Sequence, residues 1–287
     1  MRSVAVLNQK GGVGKTTTAV NLSAALAAAG SRVCLIDLDP QAHTTLHLGR
    51  TPGEHGQSIY EVLLGNASLA AALRPVAENL WLVGSHIDLA AAEVELAGIV
   101  GREAILRDKL AEMLNRKRVG SEWQAPTLES SAFDFLLIDC PPSLGILSLN
   151  ALAAVDEVLV PLQPHFLALH GLSKLLQTIE VVSRRLNPRL KLAGVVLCQY
   201  ESSTRLAGEV CQNVIEYFDS QRDKQTPWSG ARIFQTRIRR NIRLAEAPSF
   251  GQSIFQYALD SHGAEDYRLL ADELLHMPAE EYWTKSA

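Results

Sequence analysis

Short apolar runs and longer amphipathic runs alternate along the chain. Runs rich in leucine and β-branched residues predict buried strands at residues 3–7, 32–38, 80–83, 135–139, 157–161 and 190–198. Apolar residues at helical spacing predict helices at residues 16–29, 145–153, 169–186, 205–218 and 264–275. Buried strands that alternate with helices are typical of a mostly parallel sheet with helices on both faces. The pattern predicts an α/β fold with a doubly wound sheet, whose ligand lies at the carboxyl ends of the strands.

The remaining stretches suggest one domain that spans residues 1–287. Residues 116–131 and 220–230 mix charge, glycine, proline and serine, and we expect both to be surface insertions. Residues 88–114 are helical and partly charged, as in a solvated helical pair at one edge of the sheet. Because the first strand begins almost at Met1, no N-terminal helix-turn-helix domain is expected.

The sequence KGGVGKTT, residues 10–17, joins the first predicted strand to the first predicted helix. This order of strand, glycine-rich loop and helix is that of a phosphate-binding loop. Glycines let successive backbone N–H groups converge on phosphate oxygens, and the N-terminus of the helix adds partial positive charge. The predicted nucleotide-binding residues are Lys10, Gly11, Gly12, Val13, Gly14, Lys15, Thr16 and Thr17.

Particular roles follow from the chemistry of the loop. Lys15 is expected to reach the β- and γ-phosphates, and the Thr16 hydroxyl is expected to ligate Mg²⁺. The alternative is a glycine-rich turn that happens to contain lysines. The order of elements around the loop favours nucleotide binding, with ATP and Mg²⁺ as the cofactors.

Three aspartates stand at the ends of predicted strands. Asp37 and Asp39 lie in LIDLDPQ, and Asp139 ends the apolar strand of FLLIDCPPSLG, which is a Walker B pattern. We expect Asp39 to orient or activate the attacking water, Asp37 to support Mg²⁺ or its water shell, and Asp139 to hold Mg²⁺ through water. Residues 140–145 are expected to sense the γ-phosphate. The alternative for Asp37 and Asp39 is that each caps the following segment.

Composition and charge place few limits on function. The chain has 287 residues, 47% hydrophobic and 20% charged, with a net charge of −4 and a pI of about 6.1. Attraction to nucleic acid must therefore come from a local patch. The four cysteines form no C-x-x-C pair, which favours buried thiols in a reduced, cytoplasmic setting over a metal site. Neither a membrane span nor a signal peptide is present in the sequence.

The densest positive charge lies near the C-terminus, in ARIFQTRIRRNIR. Closely spaced arginines suit sequence-independent contact with DNA phosphates, which weakens as salt rises. The alternative is a charged face neutralised by nearby glutamates such as Glu246. The arginines of this cluster are Arg232, Arg237, Arg239, Arg240 and Arg243.

These motifs resemble those of the ParA/Soj branch of the ParA/MinD ATPases, whose deviant Walker A loop is KGGxGKT. The resemblance continues in VPLQPHFLALHGLSKLL, residues 160–176, and in RNIRLAEAPSFGQSI, residues 240–254. It covers nearly the whole chain and implies the P-loop NTPase fold and Mg²⁺-dependent hydrolysis of ATP. The residues that it assigns to catalysis are Lys10, Lys15 and Asp39.

The resemblance also implies a working cycle. In ParA-like proteins two ATP-bound protomers meet face to face, and the lysine that matches Lys10 reaches the partner's nucleotide. The homodimer binds DNA non-specifically, with Arg243 at the position of a DNA-binding arginine, on the nucleoid and not on a membrane. A ParB-like partner stimulates hydrolysis and releases the protein. For Lys10, the alternative is a solvated lysine at the mouth of the loop.

The chain departs from the family pattern at two places. His165 and His170 stand where the family carries glutamates, and residues 201–206 read ESSTRL in place of D-x-R-T-x-L, which moves the arginine to Arg205. The histidines are expected either to titrate near neutral pH or to be ordinary polar residues at the start of a helix.

Several functions compete with chromosome or plasmid partitioning. A MinD-like membrane regulator needs a basic amphipathic C-terminal helix, whereas this chain ends in an acidic segment. A redox ATPase would need paired cysteines, and a ligase of the dethiobiotin synthetase type would need a substrate site that the sequence does not show. A ParA-like ATPase that positions another cargo, such as a chemoreceptor cluster, stays open.

Overall fold

The computed structural model describes residues 1–53, 56–115, 133–165, 168–201 and 205–277. Within these ranges the chain forms one sheet of eight strands. The strands are β1 (Arg2–Val6), β2 (Val33–Asp37), β3 (Leu73–Ala77), β4 (Leu80–Val83), β5 (Phe135–Asp139), β6 (Glu157–Leu162), β7 (Lys191–Tyr200) and β8 (Arg232–Arg239).

Helices connect and cover the strands, and short 3₁₀ turns follow α5, precede α6 and follow α10. The first six helices are α1 (Lys15–Ala28), α2 (His43–His47), α3 (Ile59–Leu63), α4 (Leu69–Ala72), α5 (Leu89–Glu95) and α6 (Ile105–Asn115). The others are α7 (Ile146–Ala154), α8 (Ala168–Arg185), α9 (Arg205–Asp219), α10 (Ile242–Glu246), α11 (Ile254–Tyr257) and α12 (His262–His276). Among the described residues, no helix combines the length and the apolar character needed to cross a bilayer.

The strand order is β3-β4-β2-β5-β1-β6-β7-β8, and all neighbours are parallel except β3 and β4. The predicted α/β fold with a doubly wound, mostly parallel sheet is therefore confirmed. The six predicted strands and five predicted helices are all present, with bounds within two residues of those expected. The sequence pattern missed β3 and β8, the two edge strands, because neither is buried on both faces and so neither forms a continuous apolar run.

Alternate residues of each central strand enter two hydrophobic cores. Val4 and Val6 of β1 pack on the face that α1 and α12 cover. Ala5 and Leu7 enter the other core, which lies against α7 and α8. Because β1 is buried on both sides, the loop that leaves its carboxyl end starts from a rigid position.

The strand order places the carboxyl ends of β1, β2 and β5 side by side. Asp37 of β2 is in register with Asp139 of β5, which is in register with Val6 of β1. The chain leaves β1 toward β2 on one side, while β6 lies on the other, so a crevice opens at this point of the sheet. The predicted phosphate loop and both aspartate motifs meet there.

The two expected insertions have different outcomes. Residues 116–131 lie outside the described residues. Residues 220–230 follow α9 as a series of turns, and Trp228 within them is only 6% exposed and belongs to the core. The Pro227 carbonyl accepts a hydrogen bond from the Leu192 N–H of β7 at 2.9 Å. This segment is therefore attached to the sheet through its second half, and the single-domain assignment stays a prediction.

Candidate nucleotide-binding and hydrolysis site

The glycine loop between β1 and α1 is held at three points. Asn8 Nδ2 donates to the Pro161 carbonyl of β6 at 2.7 Å, and Asn8 Oδ1 accepts from the Lys10 N–H at 3.0 Å. On the other side, Gln199 Nε2 of β7 donates to the Gly12 carbonyl at 2.7 Å. These side chains fix the path of the loop in the absence of any regular hydrogen-bond ladder.

Two glycines of the loop adopt backbone conformations that other residues avoid. Gly12 has φ of 74° and Gly14, the N-cap of α1, has φ of 94°. A side chain at either position would strain the left-handed backbone. Val13 between them is only 1% exposed, so its side chain anchors the loop while its backbone remains the part that can contact phosphate.

Lys15 is the first residue of α1, and only 8% of it is exposed. Its Nζ donates to the Lys10 carbonyl at 3.1 Å, which turns the ammonium back over the loop. Burial lowers the pKa of Lys15, and the negative charges of Asp139 and Asp39 oppose that shift. The loop thus holds a largely buried cation at the place where phosphate is expected.

Asp139 lies at the end of β5, beside the start of α1, and is fully buried. Its Oδ2 accepts hydrogen bonds from Thr16 Oγ1 at 2.8 Å and from Thr44 Oγ1 at 2.7 Å. Burial raises the pKa of Asp139 to about 6. Its Oδ1 is also buried and has no hydrogen-bond partner among the described residues. An unpartnered buried carboxylate oxygen is costly, and it fits a ligand that binds here.

The residues around Asp139 suit Mg²⁺ rather than a transition metal. In the described ranges no three histidine, cysteine or acidic residues cluster in a way that could hold a metal ion. Mg²⁺ is commonly bound through one or two protein oxygens, together with waters and substrate phosphates. Thr16 and Asp139 supply such oxygens 2.8 Å from each other, so the residues fit the ion. Their role as magnesium ligands stays a prediction.

Asp37 is also fully buried, but protein groups occupy both of its oxygens. Oδ2 accepts from the Thr45 N–H at 2.9 Å and from Thr45 Oγ1 at 2.7 Å, and Oδ1 accepts from the Asp39 N–H at 3.2 Å. Burial, reinforced by the charge of Asp139, raises the pKa of Asp37 to about 8. Asp37 thus fixes the segment that leads from β2 into α2. The predicted support of Mg²⁺ is untested.

Asp39 lies in the turn after β2 and is 8% exposed. Its Oδ1 accepts from the Gln41 N–H at 2.9 Å, and its carbonyl accepts from the Ala42 N–H at 2.9 Å. The alternative role predicted for Asp39, capping of the following segment, is therefore present, because its carboxylate orders the turn that follows. Oδ2 has no protein hydrogen bond among those of the described residues, and the carboxylate acts on the charge of Lys15. Asp39 can therefore hold the turn and face the site together.

Sequence reasoning missed the two threonines of α2 that hold the aspartates. Thr44 donates to Asp139, and Thr45 donates to Asp37. Both threonines come shortly after LIDLDPQ, separated from it by two residues, but α2 is a five-residue helix without a periodic apolar face. The signal that was available is the closeness of the pair to the aspartate motif.

A cleft of roughly 360 Å³ opens beside the loop. It extends from Gly14 and Thr17 to the end of β7 and the segment after β8, with Tyr267 of α12 at its base. Cys198 and Asn241 are also among its lining residues. Sequence reasoning did not find this cleft, because its walls come from parts of the chain that are more than 200 residues apart.

Lys10 is exposed at the rim of the site, unlike Lys15. Its Nζ lies 2.6 Å from Nε2 of His165 and 3.5 Å from Oε1 of Gln163. The two lysines of the loop therefore occupy different environments, one inside the site and one at its edge.

The predicted DNA-binding arginines lie on β8, on α10 and, for Arg240, between these two elements, and the structure gives each of them a partner. Arg237 Nη1 donates to the Tyr200 hydroxyl at 2.7 Å, and its guanidinium lies 4.5 Å from the centre of the Tyr200 ring. Arg239 is different, because its guanidinium binds Asp266 and Glu265 of α12. Those two carboxylates raise the pKa of Arg239.

The last two arginines are exposed and each pairs with one glutamate. Arg240 Nη1 lies 3.0 Å from Glu201 Oε1, with 77% of the arginine side chain exposed. Arg243 Nη1 lies 2.9 Å from Glu246 Oε2, as the alternative reading of this cluster anticipated. Exposed pairs of this kind are weak and can exchange for phosphate. Contact with DNA stays a prediction for all four residues.

Strand, glycine loop and helix, a buried lysine at the start of the helix, and an aspartate at the carboxyl end of a neighbouring strand together define a P-loop ATPase. Comparison with known proteins narrows this class. Residues 1–192 match the family described as an AAA domain. The ParA chromosome partitioning protein of Myxococcus xanthus is 41% identical over 275 residues, which are 96% of this chain and 88% of that protein.

Two further relatives agree with this class. The chromosome-partitioning ATPase Soj of Thermus thermophilus is 42% identical over 275 residues, 96% of each protein. A crystal structure of cobyrinic acid a,c-diamide synthase from Mycobacterium smegmatis, with an ATP analog and magnesium bound, is 37% identical with a TM-score of 0.75. That match covers 96% of this chain and 94% of the other. The chain belongs to the ParA/Soj family of chromosome-partitioning ATPases.

Proposed function

We propose that the chain hydrolyses ATP with Mg²⁺, forms a homodimer when ATP is bound, and in that state binds DNA without sequence preference. A ParB-like partner would stimulate hydrolysis and release the protein from the nucleoid, so that chromosome or plasmid DNA is segregated. The observation that carries the proposal is the pair of loop lysines, of which Lys15 is buried beside Asp139 and Lys10 is exposed at the rim.

The geometry supports a definite placement of the nucleotide. The N–H groups of the glycine loop and the Lys15 ammonium would bind the phosphates. Thr16 and Asp139 would hold Mg²⁺, which would supply positive charge to neutralise the phosphates. The 360 Å³ cleft beside Gly14 would receive the base, since it continues from the start of α1.

Hydrolysis is assigned to the carboxylate of Asp39. One of its oxygens orders the turn. The other oxygen would orient the attacking water or accept a proton from it. Lys15 and Lys10 would neutralise charge on the phosphates, the first within its own protomer and the second across the dimer. Because the site is complete only in the dimer with its partner protein, we expect slow basal turnover.

Replacing Lys10 with alanine should weaken ATP-dependent dimerisation about 100-fold, because two trans contacts with phosphate are lost and each charge-assisted contact carries roughly a factor of ten. Sedimentation velocity with a slowly hydrolysed ATP analog measures the effect. Lys174 of α8 is a matched control, since it is also an exposed lysine, and its alanine variant should dimerise normally. Wild-type dimerisation in the Lys10→Ala variant would contradict the trans role.

Changing Arg237 and Arg240 to glutamate should reduce the affinity of the ATP-bound protein for DNA at least about tenfold. Each lost phosphate contact should also lower the salt dependence of log K by about one unit. Fluorescence anisotropy with duplexes of unrelated sequence at several salt concentrations measures both quantities. The matched control is Arg184→Glu with Arg222→Glu, because these arginines are exposed and paired with acidic residues elsewhere on the surface.

A variant of Arg239 tests whether an arginine of this cluster forms a structural ion pair and not a contact with DNA. Asp266 is nearly buried and accepts from both the Arg239 N–H and its guanidinium. Loss of the Arg239 side chain should therefore destabilise the fold by about 2 kcal/mol, whereas the Arg237 and Arg240 variants should keep the wild-type melting temperature. Unchanged DNA affinity in the Arg237 and Arg240 double variant, with dimerisation intact, would rule out this patch.

The alternative is a MinD-like or other ATPase that positions a different cargo, such as a chemoreceptor cluster. The relatives at 41% and 42% identity are chromosome-partitioning proteins, which favours chromosome partitioning for this chain. The synthase name of the Mycobacterium smegmatis structure describes that protein. Stimulation of ATPase activity by a ParB-like protein together with DNA supports partitioning, and sedimentation with anionic liposomes would instead support the membrane alternative.

A further inference from the structure

The ammonium of Lys10 lies against a histidine of its own protomer. Lys10 Nζ is 2.6 Å from His165 Nε2, and the Gln163 side-chain oxygen lies 3.5 Å from the same nitrogen of Lys10. A lysine ammonium has three donors and no acceptor, so Nε2 of His165 must be the acceptor. The contact therefore requires a neutral imidazole that carries its proton on Nδ1.

The fold brings these residues together from distant parts of the chain. Lys10 follows β1, while Gln163 and His165 follow β6, which is the parallel neighbour of β1. The hydrogen bond from Asn8 to the Pro161 carbonyl ties the two strand ends together just below the contact. The position of Lys10 is thus coupled to Gln163 and His165, which follow β6.

We propose that His165 is a positioning residue that holds Lys10 on its own protomer and releases it when the imidazole takes up a proton. This inference rests on the proposed function, in which the released Lys10 reaches the partner's nucleotide. His165 would then set how readily ATP produces a dimer, and dimerisation would be linked to proton uptake at one histidine in each protomer.

The electrostatics of the contact agree with this role. His165 is half-buried, and burial followed by the positive charge of Lys10 lowers its pKa below the usual 6.5. Among the described residues, Lys10 of the glycine loop is a charged group that acts on the imidazole, and the Gln163 amide beside Lys10 is neutral. Because the hydrogen bond from Lys10 requires a neutral imidazole, the contact between Lys10 and His165 is stable at neutral and higher pH. It is lost as pH falls through the pKa of His165.

The expected consequence is a dimer that forms more readily in mild acid. An imidazolium offers no acceptor and repels the ammonium, so protonation removes the contact that competes with the trans position of Lys10. One hydrogen bond is worth roughly a factor of five in an equilibrium constant, which gives roughly 25-fold for the two protomers. Dimerisation of the wild type should strengthen toward that limit as the pH falls from 8 through the pKa of His165.

The contact itself can be tested without nucleotide. Long-range ¹H–¹⁵N correlation spectra of the monomer report the tautomer and the pKa of each histidine. We expect His165 to carry its proton on Nδ1, and its pKa to rise in a Lys10→Met variant, which keeps the length of the side chain without its charge. His170, exposed on α8, serves as the control, because no hydrogen bond joins it to Lys10 among the described residues and its spectrum should be the same in both proteins. An unchanged His165 pKa in the Lys10→Met variant would refute the contact between Lys10 and His165.

The effect on dimerisation needs three variants, each measured by sedimentation velocity from pH 5.5 to pH 8 with an ATP analog. His165→Ala removes the acceptor, so its dimer should be stronger than the wild-type dimer at pH 8, and the part of the pH dependence that comes from His165 should be absent from its profile. His165→Gln keeps a neutral acceptor at every pH, so its dimer should stay weak. His170→Gln should retain the wild-type pH profile. A His165→Ala profile equal to that of the wild type would overturn the inference.

These outcomes distinguish the inference from the function on which it rests. If ATP causes dimerisation of the wild type but not of Lys10→Ala, while His165→Ala matches the wild type, the inference fails and the proposed function stands. If ATP does not cause dimerisation of the wild type, the proposed function fails, and the proposed role of His165 in dimerisation fails with it.

Discussion

Replacing Lys15 with alanine is expected to lower the affinity for ATP about 100-fold, because removal of one buried partner from a charge pair costs about 3 kcal/mol. Lys15 is 8% exposed and its ammonium points back over the glycine loop. Without it, the carboxylates of Asp139 and Asp39 would face the phosphates with no cation of their own protomer between them. Titration calorimetry with ATP and Mg²⁺ measures the loss.

Two controls separate the loss of charge from a change in the fold. Lys15→Arg keeps a positive charge but replaces a compact ammonium with a broad planar group, so it should also bind ATP poorly. Both variants should unfold near the wild-type temperature, because burial of the Lys15 ammonium without phosphate is itself unfavourable. An alanine variant that binds ATP within about threefold of the wild type would remove Lys15 from the phosphate site.

Replacing Asp39 with alanine should reduce ATP hydrolysis about 100-fold or more, which is the usual contribution of a general base. ATP binding and dimerisation should remain, since Asp39 is neither a residue of the glycine loop nor one of the predicted magnesium ligands Thr16 and Asp139, and its Oδ1 accepts its hydrogen bond from the Gln41 N–H. The variant would therefore stay bound to DNA as an ATP dimer. Phosphate release under single-turnover conditions and dissociation from immobilised DNA measure the two effects.

The structural role of Asp39 calls for a second variant. Asp39→Asn keeps an oxygen that can accept from the Gln41 N–H, so it preserves the turn while it removes the charge. If chemistry depends on the carboxylate, Asn and Ala should be equally slow. Asp88, exposed before α5, is a control whose alanine variant should hydrolyse ATP normally. Wild-type turnover in both Asp39 variants would show that the base is assigned to the wrong residue.

The sheet could be predicted from the sequence wherever a strand is buried on both faces. The run that forms β5, for example, is buried at all five positions and was found with its exact bounds. β8 escaped prediction because arginine and glutamine interrupt its apolar positions, as expected of a strand at the edge of a sheet. The sequence pattern did not predict the five short helices α2, α3, α4, α10 and α11, because four or five residues are too few to show a helical period.

For the site, the sequence indicated which groups carry chemistry but not how each is engaged. Asp37 and Asp139 look alike in sequence, since each ends a buried strand. In the structure the Asp37 oxygens are occupied by Thr45 and Asp39, whereas one oxygen of Asp139 is without a partner within the part of the chain described. That difference depends on where α2 lies, and therefore on packing between distant segments.

The arginine cluster is a second case in which the sequence did not show how the residues are engaged. Five arginines close together in sequence suggest one positive face. Arg239, however, is bound by Glu265 and Asp266 of α12, which lie 26 and 27 residues further along the chain. Arg237 lies on the ring of Tyr200 and Arg240 is largely exposed. Charge density can be counted along a chain, but neutralisation depends on which carboxylates the fold brings near.

The sequence by itself determined the mostly parallel sheet and the glycine loop between β1 and α1, because buried strands and glycine turns are specified by local composition. Only the tertiary structure decided that Lys15 is buried, that Lys10 rests against His165, and that a cleft opens beside Gly14 between the end of β7 and α12. Burial, pairing and proton affinity arise from contacts between residues far apart in the chain, and such contacts exist only once the chain has folded.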